Sequence, residues 1–115
     1  MTGTKLHILF ICSKNQWRSP TGEAIFRNRD SVAVRSAGTS RRARRTVSRR
    51  DLQWADLILV MESKHKQRLL ADFPGELRYK DLVVLEIPDE YRRMDPELIE
   101  LLELKVTPIL ESYDA

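Results

Sequence analysis

The sequence predicts an α/β protein with three layers, α/β/α, in which helices cover both faces of a parallel sheet. Three short apolar runs lack the alternation of a half-exposed strand, and this is typical of strands buried on both faces. Segments with helical signals lie between these runs, and a fourth segment has the composition of a strand. Strand and helix therefore alternate along the chain, which is typical of a parallel sheet with right-handed crossovers.

The strands are expected at residues 5–11, 32–37, 57–61 and 82–85. The first reads KLHILFI, the third LILVM and the fourth LVVL, and all three are nearly continuous apolar stretches of strand length. The second reads VAVRSA and supplies the remaining strand of the sheet.

Two helices are expected at residues 20–29 and 63–73, and each has a clear boundary signal. The first follows Ser19, a capping residue, and opens on Pro20, because proline is favoured at the first helical position. The second ends just before the Pro-Gly pair at 74–75, a strong stop signal.

Two further helices are expected at residues 48–55 and 95–112. The shorter one has Ser48 as a candidate N-cap and Asp51 three residues on, which is an acidic variant of the capping box. The longer one starts at an Asp-Pro pair and carries an apolar face of helical period. That face comprises Leu98, Leu101, Leu102, Val106, Ile109 and Leu110.

The composition is that of one ordinary globular domain, expected to span residues 1–115. The chain is 42% hydrophobic and 32% charged, which excludes a disordered or fibrous protein. No apolar run approaches the roughly 18 to 20 residues needed to cross a bilayer, so no membrane segment is expected. The apolar stretch near the N-terminus is short and lacks a small-residue cleavage site, so we expect a cytoplasmic protein.

The sequence indicates neither a metal site nor a bound cofactor. No spacing of histidine, cysteine and carboxylate residues is typical of metal ligands. A glycine-rich dinucleotide fingerprint and a GxxxxGK[ST] loop are both absent from the sequence. The two histidines receive structural interpretations: His7 lies within the first strand, and His65 is expected on a charged helix face.

The formal net charge is +3, and the basic excess is concentrated at residues 41–50. Such a cluster attracts an anion, which could be a phosphorylated substrate, a nucleic acid or an acidic protein face. The alternative is a solvated basic loop. The cluster comprises Arg41, Arg42, Arg44, Arg45, Arg49 and Arg50.

The loop after the first strand carries the residues with the clearest chemistry. In an open α/β sheet, ligands bind beyond the carboxyl ends of the strands, and here a short loop leads directly into a helix. Its backbone N–H groups and the helix N-terminus converge on one point, which makes an anion site. The loop comprises Cys12, Ser13, Lys14, Asn15, Gln16, Trp17, Arg18 and Ser19.

Three residues of this loop predict phosphoryl transfer. Arg18 offers a planar guanidinium that can bind two phosphate oxygens. The same positive field favours a thiolate at Cys12, and Ser19 can donate a hydrogen bond to that thiolate. A nucleophile below a bound phosphate is the layout for a cysteinyl-phosphate intermediate. The alternative is that Cys12 is a buried small hydrophobe and that Arg18 and Ser19 cap a helix.

The sequence resembles the low-molecular-weight protein tyrosine phosphatase family over most of its length. ILFICSKNQWRSPTGEAIFR is similar to the family's first strand, Cys-x5-Arg-Ser loop and first helix. VRSAGTS is similar to its second strand and following turn, and WADLILVMESKHKQRL to its third strand and following helix. The resemblance implies a four-stranded parallel sheet in the order 2-1-3-4, the phosphotyrosine protein phosphatase I-like fold.

The resemblance also implies roles for individual residues. Cys12 would be the nucleophile and Arg18 the phosphate clamp. Asn15, Ser19 and Ser36 would support the loop through hydrogen bonds. The loop departs from the family at two positions, with lysine for its glycine and tryptophan for its frequent second cysteine. The expected substrate contacts are Ser13, Lys14, Asn15, Gln16, Trp17, Ser19 and Tyr91.

The general acid has two candidates, because the family's Asp-Pro-aromatic motif is split in this chain. Asp89 keeps the spacing to Tyr91 but has Glu90 where the family has proline. Asp95 keeps the Asp-Pro pair but lacks the aromatic residue, and it is already explained as an N-cap. We therefore favour Asp89 as the general acid.

The predicted function is phosphate monoester hydrolysis without a cofactor, with phosphotyrosine as the family's default substrate. The partners would be a phosphorylated protein or a small phosphate ester, and the sequence does not indicate an oligomeric state. One alternative is a non-catalytic phosphate- or nucleic-acid-binding protein on the same fold, using the arginines at 41–50. An arsenate reductase would need an external thiol, because Cys12 is the only cysteine.

Overall fold

The computed structural model describes residues 5–114, which form a parallel sheet and its covering helices. The strands are β1 (Leu6–Cys12), β2 (Val32–Gly38), β3 (Leu57–Val60) and β4 (Asp81–Val84), and the helices are α1 (Arg18–Phe26), α2 (Arg49–Trp54), α3 (Ser63–Asp72), α4 (Pro74–Leu77) and α5 (Pro96–Asp114). The strand order is β2-β1-β3-β4, and all pairs are parallel. The predicted fold class and sheet order are confirmed.

Strand β1 lies in the middle of the sheet and is buried on both faces. Ile8 and Phe10 point into a core that α1 and α5 cover. Leu9 and Ile11 point into a second core that α2, α3 and α4 cover. Each buried aliphatic or aromatic side chain contributes about 1.5–3 kcal/mol to folding. This double burial explains why the sequence of β1 is apolar without alternation.

Helix α1 begins earlier than its sequence signals indicate. It starts at Arg18, two residues before Pro20, and no side chain caps its N-terminus. The prediction that Ser19 is a cap is therefore wrong, because Ser19 lies inside the helix with its hydroxyl turned to the preceding loop. The helix also ends at Phe26, three residues before the expected boundary.

The Pro-Gly pair after α3 has a second role that the sequence did not indicate. It ends α3 as predicted, and Pro74 then starts the four-residue helix α4. Proline suits this place because the first helical residue needs no hydrogen-bonded N–H.

Two predicted caps are confirmed. Ser48 and Asp51 form a reciprocal capping box at the start of α2. At the start of α5, Asp95 Oδ1 accepts a hydrogen bond of 2.9 Å from the backbone N–H of Glu97. Among residues 5–114, no helix combines the length and the apolar character that a membrane crossing requires.

Candidate functional site

A small cavity opens at the carboxyl end of β1, where the loop leaves the sheet. Its volume is about 40 Å³. It lies where the parallel sheet and the N-terminus of α1 meet, which is the position expected for a ligand in this class of fold. The residues that line it are Cys12, Ser13, Lys14, Gln16, Trp17, Arg18 and Asp89.

Cys12 is the last residue of β1, and its thiol is buried at this cavity. Its Sγ lies 3.0 Å from Ser19 Oγ. Ser19 Oγ accepts a hydrogen bond of 2.9 Å from Asn15 Nδ2, so its own proton is left for donation. Two acceptors are within reach, Cys12 Sγ at 3.0 Å and the carbonyl oxygen of Ala37 at 3.4 Å. A thiolate at Cys12 would therefore have a hydrogen-bond donor in place.

Asn15 occupies the centre of the loop and is fully buried, with 0% exposure. Its φ of 53° lies in the left-handed region, which asparagine tolerates better than most residues. Its Nδ2 donates to both Ser19 Oγ and Ser36 Oγ at 2.9 Å. Ser36 in turn donates to Glu23 Oε1 at 2.5 Å. The network ties the loop to β2 and α1.

The segment 39–46 follows β2 and packs along the backbone of the loop. Backbone N–H groups of this segment donate to the carbonyl oxygens of Cys12, Ser13 and Lys14 at 2.9–3.0 Å. We call residues 39–46 the supporting arm. The approach requires glycine at position 38, because a Cβ there would lie 2.4 Å from the carbonyl oxygen of Ser13.

Two arginines of the basic cluster are part of this support, a role that the sequence did not indicate. Arg44 donates from Nε to the carbonyl oxygen of Asn15 at 3.1 Å and from Nη2 to its Oδ1 at 3.3 Å. Arg45 donates to the carbonyl oxygen of Ser36 at 3.1 Å and forms an ion pair with buried Asp51. The two interpretations given from the sequence, a ligand site or a solvated loop, therefore do not describe Arg44 and Arg45, which stabilise the fold around the loop.

Arg18 is held in one orientation at the wall of the cavity. Its side chain is 2% exposed, and Nη1 donates to Glu62 Oε1 at 2.5 Å and to the carbonyl oxygen of Ile87 at 2.9 Å. Its Nη2 donates no hydrogen bond to another described residue. Every fully buried side-chain N or O atom of the described residues has a partner, so Nη2 is not fully buried. Nη2 is therefore accessible from the cavity, where an anion can accept its hydrogen bonds.

Glu62 is a site residue that the sequence analysis missed. Burial acts to raise the pKa of its carboxyl group, but the hydrogen bond and positive charge of Arg18 outweigh this effect and lower the pKa below its usual value. Glu62 therefore stays ionised and orients the guanidinium. A signal was available, because the residue comes directly after the buried run of β3, at the same edge of the sheet as the loop.

His65 does not lie on a charged, solvated helix face, and that expectation is wrong. It is 1% exposed and reaches the loop, with Nε2 at 2.8 Å from Ser13 Oγ. Its Nδ1 accepts the backbone N–H of Glu62 at 3.0 Å, so the proton of the neutral ring is on Nε2 and is donated to Ser13. Burial, together with the charge of Arg18, lowers the pKa of His65 to about 4.

The structure separates the three residues considered for the acid and aromatic roles. Asp89 lines the cavity, is 53% exposed, and places Oδ1 at 3.6 Å from Arg18 Nε. Asp95 does not line this cavity and caps α5. Tyr91 is not brought to the cavity either, because it packs on the core and lines a separate groove with Leu101 and residues near it.

This sheet order, with a cysteine and an arginine spaced as Cys-x5-Arg around an anion-sized cavity, defines a cysteine-dependent phosphatase. A sequence model of the family described as low molecular weight phosphotyrosine protein phosphatase matches residues 7–53. The chain is similar to this family over that segment, which includes the cysteine loop, α1 and β2.

Solved structures of phosphatases share this fold. A low molecular weight phosphotyrosine phosphatase from Vibrio cholerae O395 is 25% identical with a TM-score of 0.76, over 95% of this chain and 97% of that chain. The tyrosine phosphatase Wzb from Escherichia coli K30, in complex with phosphate, is 26% identical with a TM-score of 0.75, over 92% of this chain and 96% of that chain. No curated protein matches the sequence significantly.

An arginine phosphatase shares the fold as well. YwlE from Geobacillus stearothermophilus is 21% identical with a TM-score of 0.69, over 95% of this chain and 96% of that chain.

Proposed function

We propose that this protein hydrolyses phosphate monoesters through a cysteinyl-phosphate intermediate, with phosphotyrosine as the first substrate class to test. One observation carries the proposal: Cys12 and Arg18 of the loop after β1 and Asp89 of the segment after β4 line one cavity. A nucleophile, a cation and a proton donor are the three groups that the reaction requires.

In the first step, Cys12 Sγ attacks the phosphorus atom. The P–S bond forms as the bond from phosphorus to the ester oxygen breaks, and Asp89 gives its proton to the leaving oxygen. Arg18 and the backbone N–H groups of the loop stabilise the charge on the transferring phosphoryl group. The hydrogen bond from Ser19 favours the thiolate before attack and when it leaves again in the second step.

In the second step, a water molecule attacks the phosphorus atom of cysteinyl-phosphate. Asp89, now a carboxylate, takes the water proton, the P–S bond breaks, and inorganic phosphate leaves. The thiolate of Cys12 is restored, so no external reductant or cofactor takes part.

The position of Asp89 supports its role as the acid over that of Asp95. Its carboxyl group is half exposed and lines the cavity, where a leaving oxygen would emerge. Pro88 precedes it, directly after Ile87, which is buried and donates its backbone N–H to the carbonyl oxygen of Met61. The carboxyl group of Asp95 instead accepts a backbone hydrogen bond at the start of α5.

The substrate would be a phosphorylated protein or a small phosphate ester. The cavity is small, and Trp17 is the aromatic side chain that lines it. Trp17 is 37% exposed, so its ring is available to contact an aromatic leaving group.

The test is hydrolysis of phosphotyrosine, with EDTA present, by the wild type and three variants. Its leaving phenol has a pKa of about 10, so the reaction needs a general acid. Cys12→Ser should abolish turnover, and Asp89→Asn should lower kcat by on the order of 10²- to 10⁴-fold. Asp95→Asn is the matched control, and its loss should be far smaller.

Three outcomes would contradict the proposal, the last of them only its assignment of the general acid. Turnover that survives Cys12→Ser would exclude the cysteinyl-phosphate route. No turnover by a folded wild type that still binds vanadate would favour a phosphate-binding protein instead. A larger loss in Asp95→Asn than in Asp89→Asn would reverse the assignment of the acid.

A further inference from the structure

Lys14 lines the cavity, and two further exposed cations lie in the supporting arm, whose backbone packs along the loop that carries Lys14. We call these three residues the basic rim. It consists of Lys14 in the loop and Arg41 and Arg42 in the supporting arm, all exposed. None of the three side chains has an ion-pair or hydrogen-bond partner among residues 5–114. Unpaired cations beside a phosphate site are free to bind a further anion.

The other arginines of the cluster have different assignments. Arg44 and Arg45 hold the loop and β2, as described above. Arg49 Nε forms an ion pair of 2.8 Å with Glu76 Oε2. Arg50 lies on α2, beyond the supporting arm. Arg41 and Arg42 are therefore the two arginines of the arm without a side-chain partner among residues 5–114, and Arg50, also unpaired, lies outside the arm.

Backbone hydrogen bonds hold this tip against the loop on both sides. The N–H of Ser40 donates to the carbonyl oxygen of Ser13 at 3.0 Å, and the N–H of Arg44 donates to that of Lys14 at 2.9 Å. A third bond of 3.0 Å, from Ala43 N–H to the Ser40 carbonyl, closes the turn. The basic rim is thus placed by the same contacts that place the phosphate loop.

The charges around the mouth are arranged asymmetrically. The basic rim lies beyond the carboxyl ends of β2 and β1, at one side of the cavity. Asp89 and Glu90 follow β4, which is at the other edge of the sheet. Glu62, on that same side, is already paired with Arg18. Arg92 and Arg93 are also exposed and follow Glu90 closely, so that side carries charges of both signs. The basic rim carries cations only, because residues 39–46 include no acid.

We propose that the basic rim selects phosphorylated peptides with acidic side chains next to the phosphorylated residue. This rests on the proposed function and names the substrate class of the same site. Lysine and arginine at the rim would pair with Asp or Glu of the peptide while its phosphate occupies the cavity. Because these pairs are exposed, each contributes little and is screened by salt.

The small size of the basic rim favours a peptide over a nucleic acid. A nucleic-acid site usually neutralises a run of six to ten phosphates, so roughly that number of cations is needed along one track. The rim offers Lys14, Arg41 and Arg42, which match one or two carboxylates beside one phosphate.

The experiment compares two phosphotyrosyl peptides of equal length, one flanked by Asp and Glu and the other by Asn and Gln. The ratio of their kcat/KM values is measured for the wild type and for the double variant Arg41→Gln/Arg42→Gln. A second double variant, Arg29→Gln/Arg78→Gln, is the matched control, because it removes the same charge beside the amino ends of β2 and β4. Because both peptides undergo the same reaction, the ratio of their kcat/KM values reports only the effect of the flanking residues.

The wild type should prefer the acidic peptide by about fivefold to tenfold at low salt, and the preference should shrink at high salt. At low salt, the preference for the acidic peptide should fall to about twofold or less in Arg41→Gln/Arg42→Gln and persist in the control variant. No preference in the wild type, or one that survives in Arg41→Gln/Arg42→Gln, would overturn the proposal. Tighter binding of a generic oligonucleotide than of the acidic peptide would assign the rim to nucleic acid.

Failure of the proposed function would be seen separately. If the wild type hydrolyses neither peptide, binding of both peptides to the folded protein is measured by calorimetry. Binding that keeps the acidic preference and loses it in Arg41→Gln/Arg42→Gln supports the basic rim without catalysis. Equal binding of the two peptides overturns the proposal about the rim.

Discussion

The guanidinium of Arg44 donates to both acceptors of Asn15, the backbone carbonyl oxygen at 3.1 Å and Oδ1 at 3.3 Å. Asn15 holds a left-handed backbone, which costs on the order of 1 kcal/mol for a residue other than glycine. The surrounding contacts must therefore stabilise this conformation. Arg44 supplies two of them from outside the loop.

We predict that Arg44→Ala lowers kcat/KM for phosphotyrosine on the order of tenfold, because the loop loses two hydrogen bonds that fix its shape. Steady-state kinetics on the purified variant measure this. Arg50→Ala is the matched control, since Arg50 is exposed and its side chain has no partner among residues 5–114. Equal activity of Arg44→Ala and Arg50→Ala would exclude a positioning role for Arg44.

Gly38 sits where β2 and the supporting arm approach the loop. A Cβ at this position would lie 2.4 Å from the Ser13 carbonyl oxygen and 2.9 Å from the Asn15 nitrogen, and neither backbone atom can move without opening the loop. Gly38→Ala should therefore lower the free energy of unfolding by about 2 kcal/mol or more and reduce activity.

Gly75→Ala is the control for this prediction. A Cβ at Gly75 would have no atom within 4 Å, and the residue is helical, so alanine should be neutral or stabilise by up to about 1 kcal/mol. Urea unfolding of both variants measures the difference. A Gly38→Ala variant as stable as Gly75→Ala would show that the loop adapts to the added methyl group.

Asp51 links the start of α2 to the supporting arm. Its carboxylate is 1% exposed and accepts hydrogen bonds from the Ser48 backbone at 3.0 Å and from Arg45. Asp51→Ala should lower the free energy of unfolding by about 3 kcal/mol, because the cap is lost and Arg45 loses its partner.

Asp51→Asn separates these two causes. The amide keeps an oxygen for the cap but carries no charge for Arg45, so its loss of stability should be clearly smaller than that of Asp51→Ala. Thermal or urea unfolding of the two variants gives the comparison. Equal losses would place the whole effect on the ion pair.

The sheet and the cysteine loop were predictable because local signals and tertiary structure agree there. The strand β1 is buried on both faces, so its sequence is apolar throughout, and the polar residues after Ile11 mark the carboxyl edge of the sheet. Asp51 and Ser48 form a capping box within four residues, so tertiary contacts are not needed to recognise it.

The rest of the site depends on contacts between residues far apart in sequence. Glu62 was missed because its role comes from Arg18, 44 residues earlier. Arg44 appeared to belong to a uniform basic run, and only the position of the supporting arm distinguishes it. Tyr91 was placed at the substrate by sequence spacing, but packing on α5 holds it at a separate groove.

His65 shows both the failure and the signal that could have prevented it. The helix α3 has a charged sequence, SKHKQRLLAD, so a solvated histidine is the simple interpretation. Yet His65 and Leu69 are four residues apart and are the two buried residues of this helix. Spacing of four places them on one face, which is the face that packs on the sheet.

The buried, neutral His65 predicts how stability depends on pH. Its pKa is about 4 in the folded protein against 6.5 as the ordinary value, so the unfolded state binds more protons between these limits. The contribution of His65 is fully present above about pH 6.5 and is lost as the pH falls toward about 4. The free energy of unfolding should drop by up to about 3 kcal/mol across this window from this residue alone.

The variant His65→Gln isolates that contribution, because it removes the titrating ring while all carboxylates stay. Urea unfolding at several pH values from 7 to 4 should show a steeper loss of stability in the wild type than in His65→Gln. Titration of the His65 ring by NMR gives a direct second measurement, with a midpoint expected near pH 4. Parallel stability curves, or a ring that titrates near its ordinary value of 6.5, would mean that burial and the hydrogen bond that Nδ1 accepts from Glu62 N–H do not hold the imidazole neutral.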